Sequence, residues 1–262
     1  MTEVSEHPPS TPSWVDLGTP DIDATVEFYG TLFGWEAAEG ENAAETGGYR
    51  LATLRGKPVA GLMPLMEEGQ RPAWSTYVSV EDADAVAGKA RDAGGQVVAE
   101  PMDVMDLGRM ALFTDPTGAF FGIWQPRTFP GAAIVNEPAT LTWNELNTRD
   151  PDAARGFYTS VFGWDARDFD MGGGPDYVTW HRAGEDQSVG GMMDMRGRVP
   201  DEVPANWLVY FAVDDTDATV AKARELGANV AVEPMDIPDV GRFAVLTDPH
   251  GAAFAVIQNA SQ

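Results

Sequence analysis

The sequence contains no cysteine, only three histidines and no apolar run as long as a membrane span. The absence of cysteine excludes disulfides and thiolate chemistry. A membrane-spanning helix needs about 20 consecutive apolar residues, which this chain does not provide. The first dozen residues are polar and contain prolines, without the apolar centre of a signal peptide. We therefore expect a cytoplasmic protein.

Basic residues are also scarce. The chain has 17 lysines and arginines against 41 aspartates and glutamates, for a formal net charge of −24. Nucleic acids and anionic membranes both require a positive surface on their partner, so we expect neither as a partner. The hydrophobic content of 44% is that of an ordinary globular protein.

One stretch occurs twice in the chain. It begins at Trp14 and again at Trp143, and each copy runs through a Phe-Tyr pair to a Phe-Gly-Trp sequence, with matched positions 129 apart (143−14). A period of this length is that of a whole small domain rather than a solenoid repeat. A domain of this size is long enough to bury its own core. The repeat divides the chain into a flexible arm, a first domain, a linker and a second domain, at 1–12, 13–126, 127–139 and 140–259.

Hydrophobic periodicity predicts the same elements in each copy. Apolar residues from Ile22 to Phe33 recur at steps of four, three and four, as on one face of a helix. A second helix is expected over residues 82–93, with its twin over 215–226, and short strands fill the rest. Each copy reads β-α-β-β followed by β-α-β-β-β, or two βαβββ units if one short strand is missed. This pattern predicts an α+β domain with helices on one face of a curved mixed sheet, whose other face forms a cup.

A turn of the form Asp-Pro-x-Gly precedes the last strand of each copy, at residues 115–118 and 248–251. These turns are 133 positions apart (248−115), so the second copy has four more residues than the first before this point. We expect the insertion near the glycine-rich residues 171–174.

The repeated tryptophan-to-tryptophan stretch and the Asp-Pro-x-Gly turn resemble the vicinal-oxygen-chelate superfamily, which includes glyoxalase I, bleomycin- and fosfomycin-resistance proteins and extradiol dioxygenases. The resemblance is strongest to tandem actinobacterial proteins labelled glyoxalase-like or hydroxylase-like. It implies four βαβββ modules, paired so that each sheet curves around a small-molecule cavity. Two tandem domains can satisfy internally the pairing that single-domain relatives obtain by dimerising. This favours a monomer, with a homodimer as the alternative.

The resemblance also implies three metal-ligand positions in each domain, filled in relatives by His, Gln or Glu. Here the positions fall on Trp14, Ser75 and Gly122 in the first domain and on Trp143, Leu208 and Ala255 in the second. None of these side chains is an imidazole or carboxylate donor of the kind that divalent ions require. We therefore expect no cofactor, and a divalent metal only as the alternative.

Strand alternation indicates what replaces the metal. Asp16 lies on the same side of its strand as Trp14, and Glu145 on the same side as Trp143. Each cup would then hold aromatic walls and one carboxylate, which suits a flat ligand. A desolvated carboxylate can also act as a base. The candidate catalytic residues are Asp16 and Glu145, and the candidate ligand-binding residues are Trp14, Tyr77, Trp124, Trp143, Tyr210 and His181.

Simpler interpretations exist for these residues. Tryptophans on short strands are more often core than ligand wall, a slip of one residue would turn Asp16 and Glu145 to solvent, and His181 fits an exposed position. Two classes of function stay open. One is a binding protein that sequesters, carries or confers resistance to a flat metabolite. The other is a lyase, isomerase or hydroxylase-type enzyme that uses Asp16 or Glu145 as a base or as an unusual metal ligand. Trp124, where the second domain has Ile257, predicts that the first cup is the better aromatic binder.

Overall fold

The computed structural model describes residues 3–39, 46–65, 69–169 and 177–260. The elements of the first half are β1 Pro12–Thr19, α1 Ile22–Phe33, β2 Arg50–Leu54, β3 Lys57–Pro64, β4 Ala73–Ser79, α2 Ala83–Asp92, β5 Gln96–Val104, β6 Gly108–Thr114 and β7 Phe120–Pro126. Those of the second half are β8 Leu141–Thr148, α3 Pro151–Phe162, β9 Asp165–Phe169, β10 Tyr177–His181, β11 Ser188–Asp194, β12 Asn206–Ala212, α4 Thr216–Glu225, β13 Asn229–Ile237, β14 Gly241–Thr247 and β15 Ala253–Asn259.

The helix boundaries follow from local sequence. Each helix starts after an aspartate N-cap whose side chain accepts a hydrogen bond from a backbone N–H in the first turn. The helices α1 and α3 end at Gly34 and Gly163, whose φ angles of 76° and 71° lie in the left-handed region. The predicted helices are therefore confirmed, with α2 and α4 one residue shorter at each end than predicted.

The strands form one open mixed sheet in each half. The first sheet has the order β2-β3-β1-β4-β7-β6-β5, and the second has the order β13-β14-β15-β12-β8-β11-β10-β9. In each sheet the first strand of the half lies in the middle, parallel to one neighbour and antiparallel to the other. The α+β class is confirmed. The strand missing from the predicted βαβββ pattern is β9, and its counterpart in the first half is the single bridge between Glu36 and Thr53.

The position of the insertion differs from the prediction. Residues 171–174 lie outside the described residues, but their flanks locate the extra length. Tyr49 and Tyr177 each accept a hydrogen bond from the first-strand tryptophan and are 128 apart (177−49). Trp74 and Trp207 each donate to a helix tyrosine and are 133 apart (207−74). The additional residues therefore follow Tyr177, in the connections that lead from β10 to β12.

The two large hydrophobic cores are shared between the two halves, although each half is long enough to bury a core of its own. The first core joins α1 and β1–β3 to α4 and the strands β12, β14 and β15, and Phe33 meets Phe211 at 5.3 Å between ring centroids. The second core joins α2, β6 and β7 to α3, β8, β10 and β11, and Phe121 meets Phe157 at 5.9 Å. The helices and the shared cores lie on the face of each sheet that is turned toward the other half, here called the inner face. The opposite face, here called the outer face, carries a smaller cluster of its own and forms the cup.

Two equivalent hydrogen bonds cross between the halves inside these cores. The Tyr29 hydroxyl donates to Asp248 Oδ2 at 3.2 Å, and the Tyr158 hydroxyl donates to Asp115 Oδ2 at 2.9 Å. Each hydroxyl also accepts a bond from a tryptophan Nε1 of its own half. Both aspartates belong to the Asp-Pro-x-Gly turns. The repeated Phe-Tyr pair and the turn are therefore the two sides of the joint between the domains.

Over the described part of the chain, no helix is both long enough and apolar enough to cross a bilayer.

Candidate ligand-binding site

The outer face of the first sheet, here called the first cup, carries the predicted aromatic residues. Trp14 on β1 lies opposite Tyr77 on β4, and Tyr77 lies opposite Gly122 on β7. Trp14, Tyr77 and Trp124 pack together in one buried cluster. The alternation of the strands thus places these side chains on one face, as the sequence predicts.

Asp16 lies at the floor of the first cup, opposite Ser75 on β4, and its side chain is buried. Hydrogen bonds from Tyr77 and Ser75 favour the ionised carboxylate, but burial outweighs them and raises the pKa of Asp16 to about 7. Its Oδ1 atom has no hydrogen-bond partner within the described residues. The group can therefore exist as either acid or base near neutral pH.

The outer face of the second sheet, the second cup, repeats this arrangement around Glu145 on β8. The Tyr210 hydroxyl donates to Glu145 Oε1 at 3.1 Å, and the Tyr177 hydroxyl also hydrogen-bonds to this carboxylate. Burial is again the larger effect and raises the pKa of Glu145 to about 7. Trp143 lies opposite Tyr210 and is half-buried. Each floor therefore carries one carboxyl group that accepts hydrogen bonds from two hydroxyls, those of Tyr77 and Ser75 in the first cup and those of Tyr177 and Tyr210 in the second.

The sequence reasoning missed the second tyrosine of each floor. Trp14 Nε1 donates to the Tyr49 hydroxyl at 2.9 Å, and Trp143 Nε1 donates to the Tyr177 hydroxyl at 2.9 Å. Burial raises the pKa of each of these tyrosines well above its ordinary value, so both remain neutral. Each ring crosses a glycine of the neighbouring strand. The sequence did contain a signal for these two tyrosines, since a tyrosine that precedes a glycine recurs 128 positions later (177−49).

The glycine beneath Tyr177 gives a test of this packing. A Cβ atom at Gly191 would overlap the Tyr177 hydroxyl, so we expect Gly191→Ala to lower the free energy of unfolding by about 2 kcal/mol. The matched control is Gly156→Ala on the exposed face of α3, where a Cβ meets nothing within 4 Å. That change should stabilise by about 1 kcal/mol through helix propensity. Urea unfolding measures both, and equal signs for the two variants would contradict the packing.

The first cup is covered by the chain itself. The Phe129 ring contacts Trp14 edge-on at 4.9 Å, and the Phe129 carbonyl accepts a bond from Trp124 Nε1 at 2.8 Å. The predicted linker is therefore part of the cup wall. The predicted flexible arm is also packed, since His7 is buried and its Nε2 lies 2.8 Å from the Ala132 carbonyl oxygen. The linker and the arm both differ from the sequence prediction, because an irregular segment has no hydrophobic period to indicate which surface it packs against.

The second cup is more open. Its apolar cluster within the described chain consists of residues from β8, β12, β14 and β15 together with Val240. Phe169 on β9 stands at its rim with 42% of its surface exposed, and Trp143 is half-buried where Trp14 of the first cup is buried. In the first cup, Phe129 already contacts both Trp14 and Trp124, the residues that were expected to bind an aromatic ligand.

His181 is buried rather than exposed. It ends β10 on the same face as Tyr177 by strand alternation. Its Nε2 lies 2.9 Å from Thr179 Oγ1, and its Nδ1 has no partner among the described residues. The structure thus places His181 at the edge of the second cup.

The residues at the metal positions of the superfamily do not fit a divalent ion. Within the described ranges, no three His, Cys, Asp or Glu side chains come together as metal donors. The indole N–H groups of Trp14 and Trp143 already donate hydrogen bonds to tyrosine hydroxyls, and the Tyr77 ring fills the space over Gly122. The one carboxyl group in each cup is hydrogen-bonded to hydroxyls. A divalent ion needs several imidazole or carboxylate donors, which this set does not supply.

Paired βαβββ modules with open, cup-forming sheets define the vicinal-oxygen-chelate fold. The model of the Glyoxalase/Bleomycin resistance protein/Dioxygenase superfamily matches residues 11–123 and 140–256. The chain therefore belongs to this superfamily.

Individual relatives agree with this assignment. The chain is 47% identical to the putative glyoxylase CFP32 of Mycobacterium tuberculosis, over 100% of both chains. It is 40% identical to the anthracycline biosynthesis protein DnrV of Streptomyces peucetius, over 95% of this chain and 94% of that one. Among solved structures, the Mn(II)-bound glyoxalase from Novosphingobium aromaticivorans matches with a TM-score of 0.66 at 18% identity, covering 95% of this chain and 82% of that one. This last likeness concerns the fold alone.

Proposed function

We propose that the protein binds a flat aromatic small molecule in a cup whose floor is a carboxyl–tyrosine network rather than a metal ion. The observation that carries the proposal is the floor of the second cup, where Glu145 lies between the hydroxyls of Tyr177 and Tyr210. Trp143 beside it supplies an aromatic face. Aromatic side chains with a few fixed polar groups are the usual lining of small-molecule sites.

The floor determines which polar groups on a ligand would be recognised. With a pKa of about 7, the Glu145 carboxyl is divided between its two protonation states at neutral pH. It can donate a hydrogen bond to a ligand carbonyl when protonated and accept one from a ligand hydroxyl when ionised. A flat molecule that carries hydroxyl or carbonyl groups on its rings satisfies both. The relative named for anthracycline biosynthesis supports this class, since anthracyclines are polycyclic aromatic compounds with such groups.

Binding of quinizarin, a neutral dihydroxyanthraquinone, tests the proposal. We expect saturable quenching of tryptophan fluorescence with a dissociation constant in the micromolar range, about −8 kcal/mol. Protein dialysed against EDTA should bind equally well, because no step of recognition uses a metal. Absence of saturable quenching would contradict the proposal, and so would binding that EDTA removes and a divalent metal restores.

One observation favours an enzyme as the second candidate. A carboxyl group with a pKa of about 7 suits general acid–base catalysis near neutral pH. Glu145 would then remove a proton from a ring carbon that conjugation with a ring carbonyl makes acidic. Anthrone, a flat tricyclic ketone whose methylene group lies across the central ring from the carbonyl, provides the assay, in which exchange of its acidic hydrogens for deuterium is followed by proton NMR. Exchange above the buffer rate that Glu145→Gln abolishes would establish the enzyme over the binding protein.

A further inference from the structure

We infer that the second cup is the ligand-binding site and that Phe129 occupies the first cup in the place a ligand would take. The inference rests on the proposed function and specifies which of the two equivalent floors serves it. It also limits the ligand to neutral or cationic aromatic molecules.

Phe129 makes the contacts that a flat ligand would make in the first cup. Its ring lies 4.9 Å from Trp14 at an interplanar angle of 89° and 6.1 Å from Trp124 at 77°. Such edge-to-face geometry is a preferred arrangement of aromatic pairs. With Phe129 in place, only 5% of Trp14 and 8% of Trp124 remain exposed. An external aromatic molecule therefore has no free indole face to contact.

The segment that carries Phe129 is fixed to the domain at several points. Ala132 N–H donates to the Ser13 carbonyl at 2.9 Å, and Ala133 N–H donates to the Pro58 carbonyl at 2.8 Å. Gly131 has a φ of 118°, and a Cβ there would overlap the Ser13 carbonyl oxygen, so the close approach requires glycine. The segment that covers the first cup is therefore fixed to the first domain, and moving it away would break these hydrogen bonds.

The second cup lacks an equivalent cover among the described residues. Ile257 stands where the first cup has Trp124, and Trp143 is half-buried. The aromatic surface continues outward from Trp143 to Tyr177, which its indole N–H contacts, and on to Phe169, whose ring lies 6.4 Å from that of Tyr177. Phe169 is 42% exposed. These three rings line one side of the cup from floor to rim.

The charges around the second cup select the ligand class. The floor carries the Glu145 carboxyl. Arg167, two residues before Phe169 on β9, already pairs with Asp165 at 3.0 Å and with Asp186 at 3.3 Å. The whole chain has a formal charge of −24. An anionic ligand would be repelled by this field, and Arg167, engaged with two aspartates, does not offset the repulsion. A neutral or cationic ligand would not be repelled.

Stoichiometry and matched variants test the assignment. In equilibrium dialysis we expect the protein to bind one quinizarin per chain, and Phe129→Ala to bind two, because the vacated cavity leaves Trp14 and Trp124 free to receive a ring.

Trp143→Phe should weaken binding about fivefold, while the matched Trp14→Phe, which removes the equivalent indole–tyrosine bond, should leave it unchanged. Anthraquinone sulfonate, the anionic analogue, should bind at least about tenfold more weakly than quinizarin. Circular dichroism verifies that each variant is folded.

Each contrary result has a distinct meaning. Two molecules per wild-type chain, or equal weakening by Trp14→Phe and Trp143→Phe, would overturn the choice of cup while leaving the proposed function intact. One molecule per chain of Phe129→Ala would overturn the role of Phe129. Tighter binding of the sulfonate would overturn the ligand class. Absence of saturable binding to the wild-type protein and every variant would overturn the proposed function and this inference together.

Discussion

Replacing Glu145 by glutamine is expected to stabilise the protein above neutral pH and to change little in mild acid. The pKa of Glu145 is raised from 4.5 to about 7, so the folded state holds a proton that the unfolded state releases between these values. Stability from this group is therefore present below about pH 4.5, falls as pH rises to about 7 and stays low above it. The shift corresponds to roughly 3 kcal/mol. Glutamine cannot ionise and avoids this loss.

Unfolding in urea at pH 5 and pH 8 measures the effect. At pH 8 the free energy of unfolding of Glu145→Gln should exceed that of the wild type by about 2 to 3 kcal/mol, and at pH 5 the two should agree within about 1 kcal/mol. Asp16→Asn should behave alike, because burial raises the pKa of Asp16 to about 7 as well. Glu81→Gln, at an exposed position, controls for the general repulsion in an acidic chain. A variant less stable than the wild type at pH 8 would show that the carboxylate is solvated or paired.

Removing the Asp115 carboxylate should have the largest destabilising effect. Asp115 is 4% exposed and accepts four hydrogen bonds, from Thr117 N–H at 2.7 Å, the Thr117 hydroxyl at 2.8 Å, Ala119 N–H at 3.0 Å and the Tyr158 hydroxyl at 2.9 Å. Asp115→Ala leaves these donors without partners in the interior. Because each unpaired buried group costs about 1 to 3 kcal/mol, we expect a total loss of about 4 kcal/mol.

The matched control is Asp82, an exposed N-cap that accepts one bond, from Ala85 N–H at 2.9 Å. Asp82→Ala should cost only about 1 kcal/mol. Tyr158→Phe removes the bond between the halves and keeps the turn, so its loss should fall between the two, at about 2 kcal/mol. Thermal and urea unfolding give all three values. Similar losses for Asp115→Ala and Asp82→Ala would mean that the joint between the domains adds nothing to stability.

Local patterns were sufficient to predict most of the elements, and the carboxyl group and one tyrosine of each cup floor. Alternation along β1 placed Asp16 beside Trp14, and the Asp-Pro-x-Gly turn fixed the register of the last strand. These predictions depend on the two-residue period of a strand, which the sequence carries directly. Tyr49 was not predicted as a floor residue, because its position depends on the glycine of the neighbouring strand over which its ring lies.

Contacts between distant segments were not predictable from a single sequence. Hydrophobic periodicity showed that Phe28 and Tyr29 are buried, but it cannot say that they pack against Phe254 of the other half. Phe129 lies in an irregular segment, where no period indicates the surface it covers. The burial of His181 likewise depends on edge strand β9, which no pattern in the sequence revealed.

The shared cores set unequal constraints on the two surfaces of each sheet. A substitution at an inner position such as Phe33 must be accommodated by both repeats at once, because Phe33 contacts Trp35 of its own repeat and Phe211 of the other. A substitution at an outer position such as Ile257 concerns one repeat only. Substitutions on the outer faces can therefore alter the selectivity of one cup without disturbing the other, whereas the inner faces of the two repeats constrain each other.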